Sequence, residues 1–120
     1  FLVLKLCLRK MRSWIVSANW TREANNQIIG SVFIYKISDN HYELDTITIN
    51  PLYQNAGIGT KVMKSIENYY TDVLVWTLQT PETDYRNRHF YEKLGYIQVE
   101  SRYINQYLNL TLYKKEIASS

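Results

Sequence analysis

Residues 54–59, Gln-Asn-Ala-Gly-Ile-Gly, have the types and spacing that most directly suggest chemistry in this chain. They follow an alternating apolar segment and Pro51, and they precede a run with the periodicity of an amphipathic helix. The first amides of a helix lack intrahelical partners, and the helix dipole places partial positive charge beside them. Glycines let the backbone approach a phosphate without an intervening Cβ. The turn therefore predicts a site for a phosphate-bearing ligand.

Two familiar phosphate loops are excluded by the order of these residues. A P-loop needs a glycine, four residues and then Gly-Lys-Ser/Thr, whereas Gly59 is followed by Thr60 and Lys61. The dinucleotide fingerprint needs a third Gly or Ala three residues after the second glycine, and Val62 occupies that position. What remains is Gln-x-x-Gly-x-Gly between a strand and a helix.

The rest of the chain predicts a mixed α/β sheet that positions this turn. Alternating apolar runs predict about six strands, and helical apolar stripes predict two helices. The predicted strands cover residues 13–19, 27–37, 41–49, 73–78, 96–100 and 107–113; the predicted helices cover residues 57–70 and a segment from Thr83 or Asp84 to Gly95. The first three strands should form an antiparallel meander. Residues 73–78 are apolar on both faces, which predicts a central strand that is covered on both sides and parallel to the one before the turn.

The first twelve residues allow two interpretations. Leucines at every second position from 2 to 8 alternate like a strand, whereas Phe1, Leu4, Leu8 and Met11 fit a helical stripe. The pattern does not decide between them. No small-residue cleavage site follows, so we expect no signal peptide.

Two motifs in this order resemble the signatures of the GNAT N-acetyltransferase family. Gln-x-x-Gly-x-Gly resembles the family's acetyl-CoA loop, and residues 90–96, Phe-Tyr-Glu-Lys-Leu-Gly-Tyr, resemble its second signature. The resemblance runs from about Trp14 to Lys114. It implies a GNAT-like mixed sheet, with an antiparallel N-terminal meander, a βαβ unit with parallel strands and a C-terminal strand pair. Residues 1–120 would form a single acetyltransferase-like domain, in which residues 1–12 are open to interpretation as a remnant of the family's N-terminal helices.

The resemblance implies acetyl-CoA as the cofactor and assigns residues to it. Loop amides would bind the pyrophosphate, and the backbone of the preceding strand would pair with the pantetheine arm. The loop residues are Gln54, Asn55, Ala56, Gly57, Ile58, Gly59 and Thr60, and the strand residues are Ile47, Thr48 and Ile49. Where the family usually has an asparagine that contacts the arm, this chain has Asp84, a carboxylate that accepts but cannot donate. Asp84 could instead cap the helix, and Asn87, one turn along, could partly substitute.

The same resemblance places Tyr91 next to the thioester sulfur. Because a thiol of pKa about 8.5 is more acidic than a phenol of pKa about 10, hydrogen bonding to developing charge suits Tyr91 better than full proton transfer. Glu43 and Asp45 are the candidate bases for the attacking amine, and alternation places them on one face with Ile47 and Ile49. The weaker candidates, His41 and His89, are expected at the surface.

These residues predict an N-acetyltransferase that moves acetyl from acetyl-CoA to a primary amine by direct attack. A non-catalytic acyl-CoA-binding or interaction module with the same fold is the alternative, and a nucleotide-phosphate protein of another fold is a third. Asp84 and the short segment before the first clear strand favour the alternative. The family normally has a strand and two helices before that strand, and they usually form one wall of the acceptor site. Three explanations fit: the chain is a fragment, the front of the domain is reduced, or a second subunit supplies the wall. If the wall is absent, apolar surface is left exposed, which predicts a homodimer.

Composition excludes several other classes. The net charge is +3, but Lys and Arg are scattered, so we expect no nucleic-acid partner. No apolar run approaches the roughly 20 residues of a membrane span. Two histidines and one cysteine lie far apart, so we expect no metal site. The single Cys7 suits a reducing compartment, which favours the cytoplasm.

Overall fold

The computed structural model describes residues 4–54 and 57–118. In this part of the chain, seven strands, two helices and one short 3-10 turn follow one another. The strands are β1 (Leu4–Arg12), β2 (Ile15–Arg22), β3 (Ile28–Ser38), β4 (His41–Ile49), β5 (Val75–Pro81), β6 (Ile97–Asn105) and β7 (Leu108–Glu116). The helices are α1 (Ile58–Tyr69) and α2 (Tyr85–Lys93), and the 3-10 turn is Pro51–Tyr53.

The strands of the described residues form one seven-stranded sheet in the order β1-β2-β3-β4-β5-β7-β6. Strands β1 to β4 form an antiparallel meander, β4 and β5 are parallel, and β7 is antiparallel to both β5 and β6. The predicted mixed sheet, the βαβ unit with parallel strands and the C-terminal strand pair are therefore confirmed. Strand β5 lies between β4 and β7, so its predicted central position is confirmed. The expectation that it is covered on both faces is wrong: Trp76, Leu78 and Thr80 are buried, but the residues between them are not, because both helices lie on one face of the sheet.

The interpretation of residues 1–12 as a helical remnant is wrong for residues 4–12. These residues form β1, which pairs with β2 from Leu4 opposite Arg22 to Arg12 opposite Ile15. Its leucines pack against the core, so pairing with β2 selects the strand interpretation over the helical stripe. The expected count of about six strands is one too low in the described residues for this reason.

Two predicted strands end later than expected because the turns lie elsewhere. Strand β6 continues to Asn105, whose Oδ1 accepts a hydrogen bond of 2.8 Å from the Tyr107 amide. This local side-chain bond makes the reversal into β7. Strand β5 begins at Val75 and runs to Pro81, not from 73 to 78. In contrast, the predicted bounds of β4 are confirmed.

One face of the sheet carries the buried core. Leu44, Trp76, Leu78 and Tyr113 belong to one buried cluster with α1 residues and with Tyr91 of α2. The α1 side chains in that cluster are Ile58, Val62, Met63 and Ile66, the predicted apolar stripe. The two helices therefore cover the same face. None of the helices in the described residues is long and apolar enough to cross a membrane.

Tyr96 supports a prediction about stability. Its hydroxyl is buried without a hydrogen-bond partner in the described part of the chain, and an unsatisfied buried polar group costs roughly 1–3 kcal/mol. We expect Tyr96→Phe to raise the free energy of unfolding by about 1 kcal/mol at pH 7. Tyr113→Phe is the matched control. It should lower stability, because the Tyr113 hydroxyl accepts a hydrogen bond of 3.2 Å from Arg88 Nε.

The same variant changes the pH dependence of stability. Burial, and then the charges of Glu67 and Tyr91, raise the pKa of Tyr96. The folded state therefore keeps a proton that the unfolded chain releases above about pH 10. The free energy of unfolding therefore does not change through this group below about pH 10, and it falls as the pH rises above that value. Urea unfolding at pH 7 to 11 should show a smaller alkaline loss for Tyr96→Phe; an unchanged loss would contradict this account.

Candidate active site

A cleft opens where β4 and β5 stop pairing. Their parallel register runs from His41–Val75 to Leu44–Leu78 only, although β4 continues to Ile49 and β5 to Pro81. The cleft has a volume of about 420 Å³, within the rough range of 300–1,000 Å³ for ligand pockets. It is lined by Glu43, Leu44, Asp45, Thr46, Ile47, Gln79, Thr80, Pro81, Asn87, Tyr91 and Leu110. The structure thus brings both candidate carboxylates and Tyr91 to one cleft.

A β-bulge at Thr46 shapes this end of β4. Thr46 has φ of 54°, in the left-handed region that β-branched residues rarely adopt. Phe33 pairs with Asp45 and Ser31 with Thr48, so two residues of β4 oppose one of β3. The bulge shifts the alternation by one residue.

This shift corrects one expectation of the sequence pattern. Thr48 lies on the face of Asp45, and its Oγ1 is 2.7 Å from the Ser31 Oγ. Ile47 and Ile49 pack against the core. The prediction that Ile47 and Ile49 share a face with Glu43 and Asp45 is therefore wrong beyond Thr46, because simple alternation does not survive a bulge.

The glycine-rich turn leads into α1 as expected. Gly57 is the N-cap with φ of 74°; no side chain caps the helix, and its first turn contains no acidic residue. The amides of Ile58, Gly59 and Thr60 therefore start the helix without intrahelical acceptors. The Gln54 Nε2 donates to the Ile49 carbonyl over 3.3 Å and ties the turn to the end of β4. Asn55 and Ala56 lie outside the described residues.

The two glycines of the turn are required for different physical reasons. A Cβ on Gly57 would meet nothing within 4 Å, so its positive φ, not space, requires glycine. A Cβ on Gly59 would lie 2.9 Å from the Phe90 Cζ. Gly59 therefore lets α2 approach the start of α1. Through this contact, the loop lies next to the helix that carries Tyr91.

Tyr91 is 4% exposed and forms part of the cleft lining. Burial, and then the nearby Asp84 carboxylate, raise the pKa of Tyr91 to about 12. Its ring contacts those of Phe90, Tyr96 and Tyr113. The phenol consequently stays protonated at neutral pH and is available as a hydrogen-bond donor.

Asp84 acts as the N-cap of α2. Its Oδ1 accepts from the Asn87 amide over 3.1 Å, and its Oδ2 accepts from the Asn87 Nδ2 over 2.9 Å. Asn87 lines the cleft, whereas Asp84 is not among the lining residues. Of the two candidates for the pantetheine contact, Asn87 is therefore the one that reaches the cleft.

The two candidate bases have different surroundings. Thr77 Oγ1 donates to Glu43 Oε1 over 3.1 Å, and the His41 Nε2 lies 2.9 Å from the same hydroxyl. Asp45 is exposed and makes no hydrogen bond or ion pair within the described ranges. Glu43 is therefore oriented and Asp45 is not. His89 is exposed, as expected.

The surroundings of His41 and the position of Thr80 at the cleft were not predicted from the sequence. His41 is half-buried and bonded to Thr77, where a surface position was expected. Thr80 is 3% exposed, lines the cleft, and its Oγ1 has no partner in the described part of the chain. A parallel alignment of residues 41–44 with 75–78 would have placed Thr77 opposite Glu43, but the strand bounds needed for that register are not evident from the sequence.

The cleft fits an extended ligand that carries amides. From Asp45 onward, β4 has no pairing with β5, so that side of its backbone can pair with an added strand-like group. The unpartnered Thr80 hydroxyl offers one more polar contact.

A second cavity of about 230 Å³ is lined by Leu4, Leu6, Trp20, Ile58, Lys61 and Ser65. It has no carboxylate or phenol, so the cleft is the stronger candidate for chemistry. No three His, Cys, Asp or Glu side chains in the described ranges could hold a metal ion.

These features define an α/β domain with a glycine-rich turn at a helix N-terminus beside a cleft between diverging parallel strands. The chain matches the sequence model of the acetyltransferase (GNAT) family over residues 5–96. It therefore belongs to the GNAT acetyltransferase family. The family and fold class expected from the two signatures are confirmed, and acetyl-CoA is the cosubstrate of this family.

Among curated proteins, the chain is similar to YrkN of Bacillus subtilis (strain 168). The two are 38% identical over 72 residues, which cover 59% of this chain and 39% of YrkN. The match therefore spans less than half the length of that relative.

Solved structures share the fold. A GNAT family acetyltransferase from Elizabethkingia anophelis with acetyl-CoA bound has a TM-score of 0.78 at 14% identity, covering 95% of this chain and 98% of that one. The ribosomal-protein-S18-alanine N-acetyltransferase of Escherichia coli has a TM-score of 0.77 at 16% identity, covering 92% and 74%. The spermidine/spermine N-acetyltransferase SpeG of Vibrio cholerae has a TM-score of 0.74 at 16% identity, covering 88% and 67%. At these identities the likeness shows the fold alone.

Thr46 generates a prediction for the cleft. A left-handed conformation costs an L-residue roughly 1–2 kcal/mol, and asparagine tolerates it better than threonine. We expect Thr46→Asn to raise the free energy of unfolding by about 1 kcal/mol, measured by urea unfolding. Thr48→Asn, in the same strand beyond the bulge, is the control and should be destabilising. Equal losses in both variants would show that the bulge carries no strain.

Proposed function

We propose that this chain is an N-acetyltransferase that transfers acetyl from acetyl-CoA to a primary amine by direct attack. The observation that carries the proposal is the cleft in which Glu43, Asn87 and Tyr91 converge beside the glycine-rich turn. An oriented carboxylate, a protonated phenol and an anion site are the groups that this reaction needs.

The residues proposed to hold the cofactor follow from the geometry. The backbone amides of Gly57, Ile58, Gly59 and Thr60 would bind the pyrophosphate, together with the remainder of the turn. The unpaired side of β4 at Ile47, Thr48 and Ile49 would pair with the pantetheine arm, and Asn87 would contact it from α2. When bound, the cofactor supplies an acetyl thioester. The E. anophelis relative, which has almost the same extent as this chain, was solved with acetyl-CoA bound.

Tyr91 is proposed to donate a hydrogen bond to the sulfur as negative charge develops there. Its pKa of about 12 lies about 3.5 units above that of a thiol near 8.5. Full transfer of the phenolic proton would therefore cost roughly 5 kcal/mol. Donation without transfer gives electrostatic stabilisation and avoids that cost.

Glu43 is proposed as the base and Asp45 as the weaker candidate. Thr77 holds one carboxylate oxygen, so the orientation of Glu43 is maintained while its other oxygen can accept a proton from the amine, directly or through water. His41 positions the Thr77 hydroxyl in turn. A lysine-type amine depends most on such a base, since at pH 7 only about one in 2,500 is neutral, compared with about one in six α-amines.

The first test is release of free thiol from acetyl-CoA with a panel of amines. The panel contains spermidine, a peptide with a free α-amine on an N-terminal alanine and an Nα-blocked lysine. The first two are chosen because structural relatives are named as a spermidine/spermine N-acetyltransferase and a ribosomal-protein-S18-alanine N-acetyltransferase. We expect turnover with at least one class and, for Tyr91→Phe, a fall in kcat of about 100-fold.

Tyr85→Phe is the matched control, because Tyr85 is an exposed tyrosine on the same helix. It should keep wild-type kcat. Cofactor binding without turnover on any amine would favour the alternative, a non-catalytic acyl-CoA-binding or interaction module. Wild-type kcat in Tyr91→Phe would remove the proposed role of Tyr91.

A second test concerns the base. Thr77→Val removes the hydroxyl that donates to Glu43 Oε1, whereas Thr77→Ser keeps it. We expect kcat/KM to fall about tenfold in Thr77→Val. Thr77→Ser should keep kcat/KM close to the wild-type value. Equal losses in the two variants would contradict the positioning role of this hydroxyl.

The proposal also covers the domain organisation, partners and location of the protein. Residues 1–120 would act as a single acetyltransferase-like domain with an amine acceptor and without nucleic acid or membrane as a partner. A cytoplasmic location is supported by the free Cys7, which suits a reducing compartment. A homodimer remains part of the proposal.

A further inference from the structure

Strand β6 is an edge of the sheet. It lies at the end of the strand order and pairs with β7 on one side only. All nine of its residues are exposed. They include four large apolar side chains, Ile97 (68% exposed), Val99 (57%), Tyr103 (72%) and Ile104 (45%). Proteins normally shield such an edge with charge, proline or a covering element, because unpaired backbone groups invite another strand.

The sequence of β6 is self-complementary about Ser101. In an antiparallel pair of two β6 strands centred on Ser101, Glu100 of each copy lies opposite Arg102 of the other. Oppositely charged residues are favourable cross-strand pairs. Val99 and Ile104 lie at two shifts in the register between β6 and β7, so the regular stretch available for pairing runs from Glu100 to Tyr103. Glu100 and Arg102 make no ion pair within the described residues, so both charges are available to a partner.

The other edge of the sheet lacks this property. The charged side chains of β1 are Lys5, Arg9, Lys10 and Arg12, all positive. Pairing β1 with a second β1 would bring like charges together, which is unfavourable. Repulsion between like charges therefore disfavours pairing of β1 with a second β1, whereas the charges of β6 favour pairing with a second β6.

We propose that two copies of this chain associate through their β6 strands, antiparallel and with a two-fold axis at Ser101. The interface is isologous, so each Glu100–Arg102 pair forms twice. The two sheets join edge to edge, and the free backbone groups of β6 gain partners. This assignment does not depend on catalytic activity.

Charge reversal tests the proposal directly. Wild-type protein should sediment as a dimer at about 100 µM. Glu100→Arg and Arg102→Glu each place like charges opposite each other, and each should raise the dissociation constant at least tenfold. The double variant restores opposite charges and should return to within about threefold of wild type. Lys10→Glu on the β1 edge is the matched control and should leave the constant unchanged.

Cross-linking locates the axis. In a Cys7→Ser background, Ser101→Cys places two thiols across the two-fold axis at a Cα separation near 5 Å, which a disulfide spans. Asn105→Cys places its thiols roughly 26 Å apart and should not cross-link. The proposal would be overturned by a monomer at 100 µM, by an assembly larger than a dimer, or by unchanged dissociation constants in both single charge-reversal variants. Circular dichroism confirms that each variant is folded.

Discussion

The parallel hydrogen bonding between β4 and β5 ends at Leu44 and Leu78, and the candidate site depends on that ending. Up to this point the two backbones satisfy each other; beyond it they diverge. Thr46, in the left-handed region, makes a bulge in β4, and the end of β4 beyond it does not pair with β5. Without this divergence there would be no cleft, and Tyr91 would be a core aromatic only.

The close approach of α1 and α2 joins the proposed cofactor loop to the helix of Tyr91. Gly59 allows the Phe90 ring to lie against the start of α1, so the glycine-rich turn lies next to that helix. Asp84 begins that helix and also holds the side chain of Asn87. A residue that departs from the family's pattern thus takes a structural role, and its neighbour one turn along reaches the cleft.

The two sides of the sheet contribute different groups to the cleft. The helix-covered side supplies a buried phenol, and this burial keeps it protonated. The other side supplies Glu43, whose orientation depends on Thr77 and His41. In the proposed reaction, the phenol would donate a hydrogen bond from one side of the cleft, and the carboxylate would act as the base from the other.

The sequence by itself determined the features that few residues encode: the glycine turn, the bounds of β4, the apolar stripe of α1, the Asp84 cap and the parallel βαβ unit. Local propensity and capping are sufficient for these. Only the tertiary structure decided that residues 4–12 are a strand, because that choice depends on pairing with β2. It also decided the Thr46 bulge, since a threonine gives no sign in the sequence of the left-handed backbone that this residue adopts. The Glu43–Thr77–His41 contacts join residues more than 30 positions apart, and only the register of packed strands could place them together.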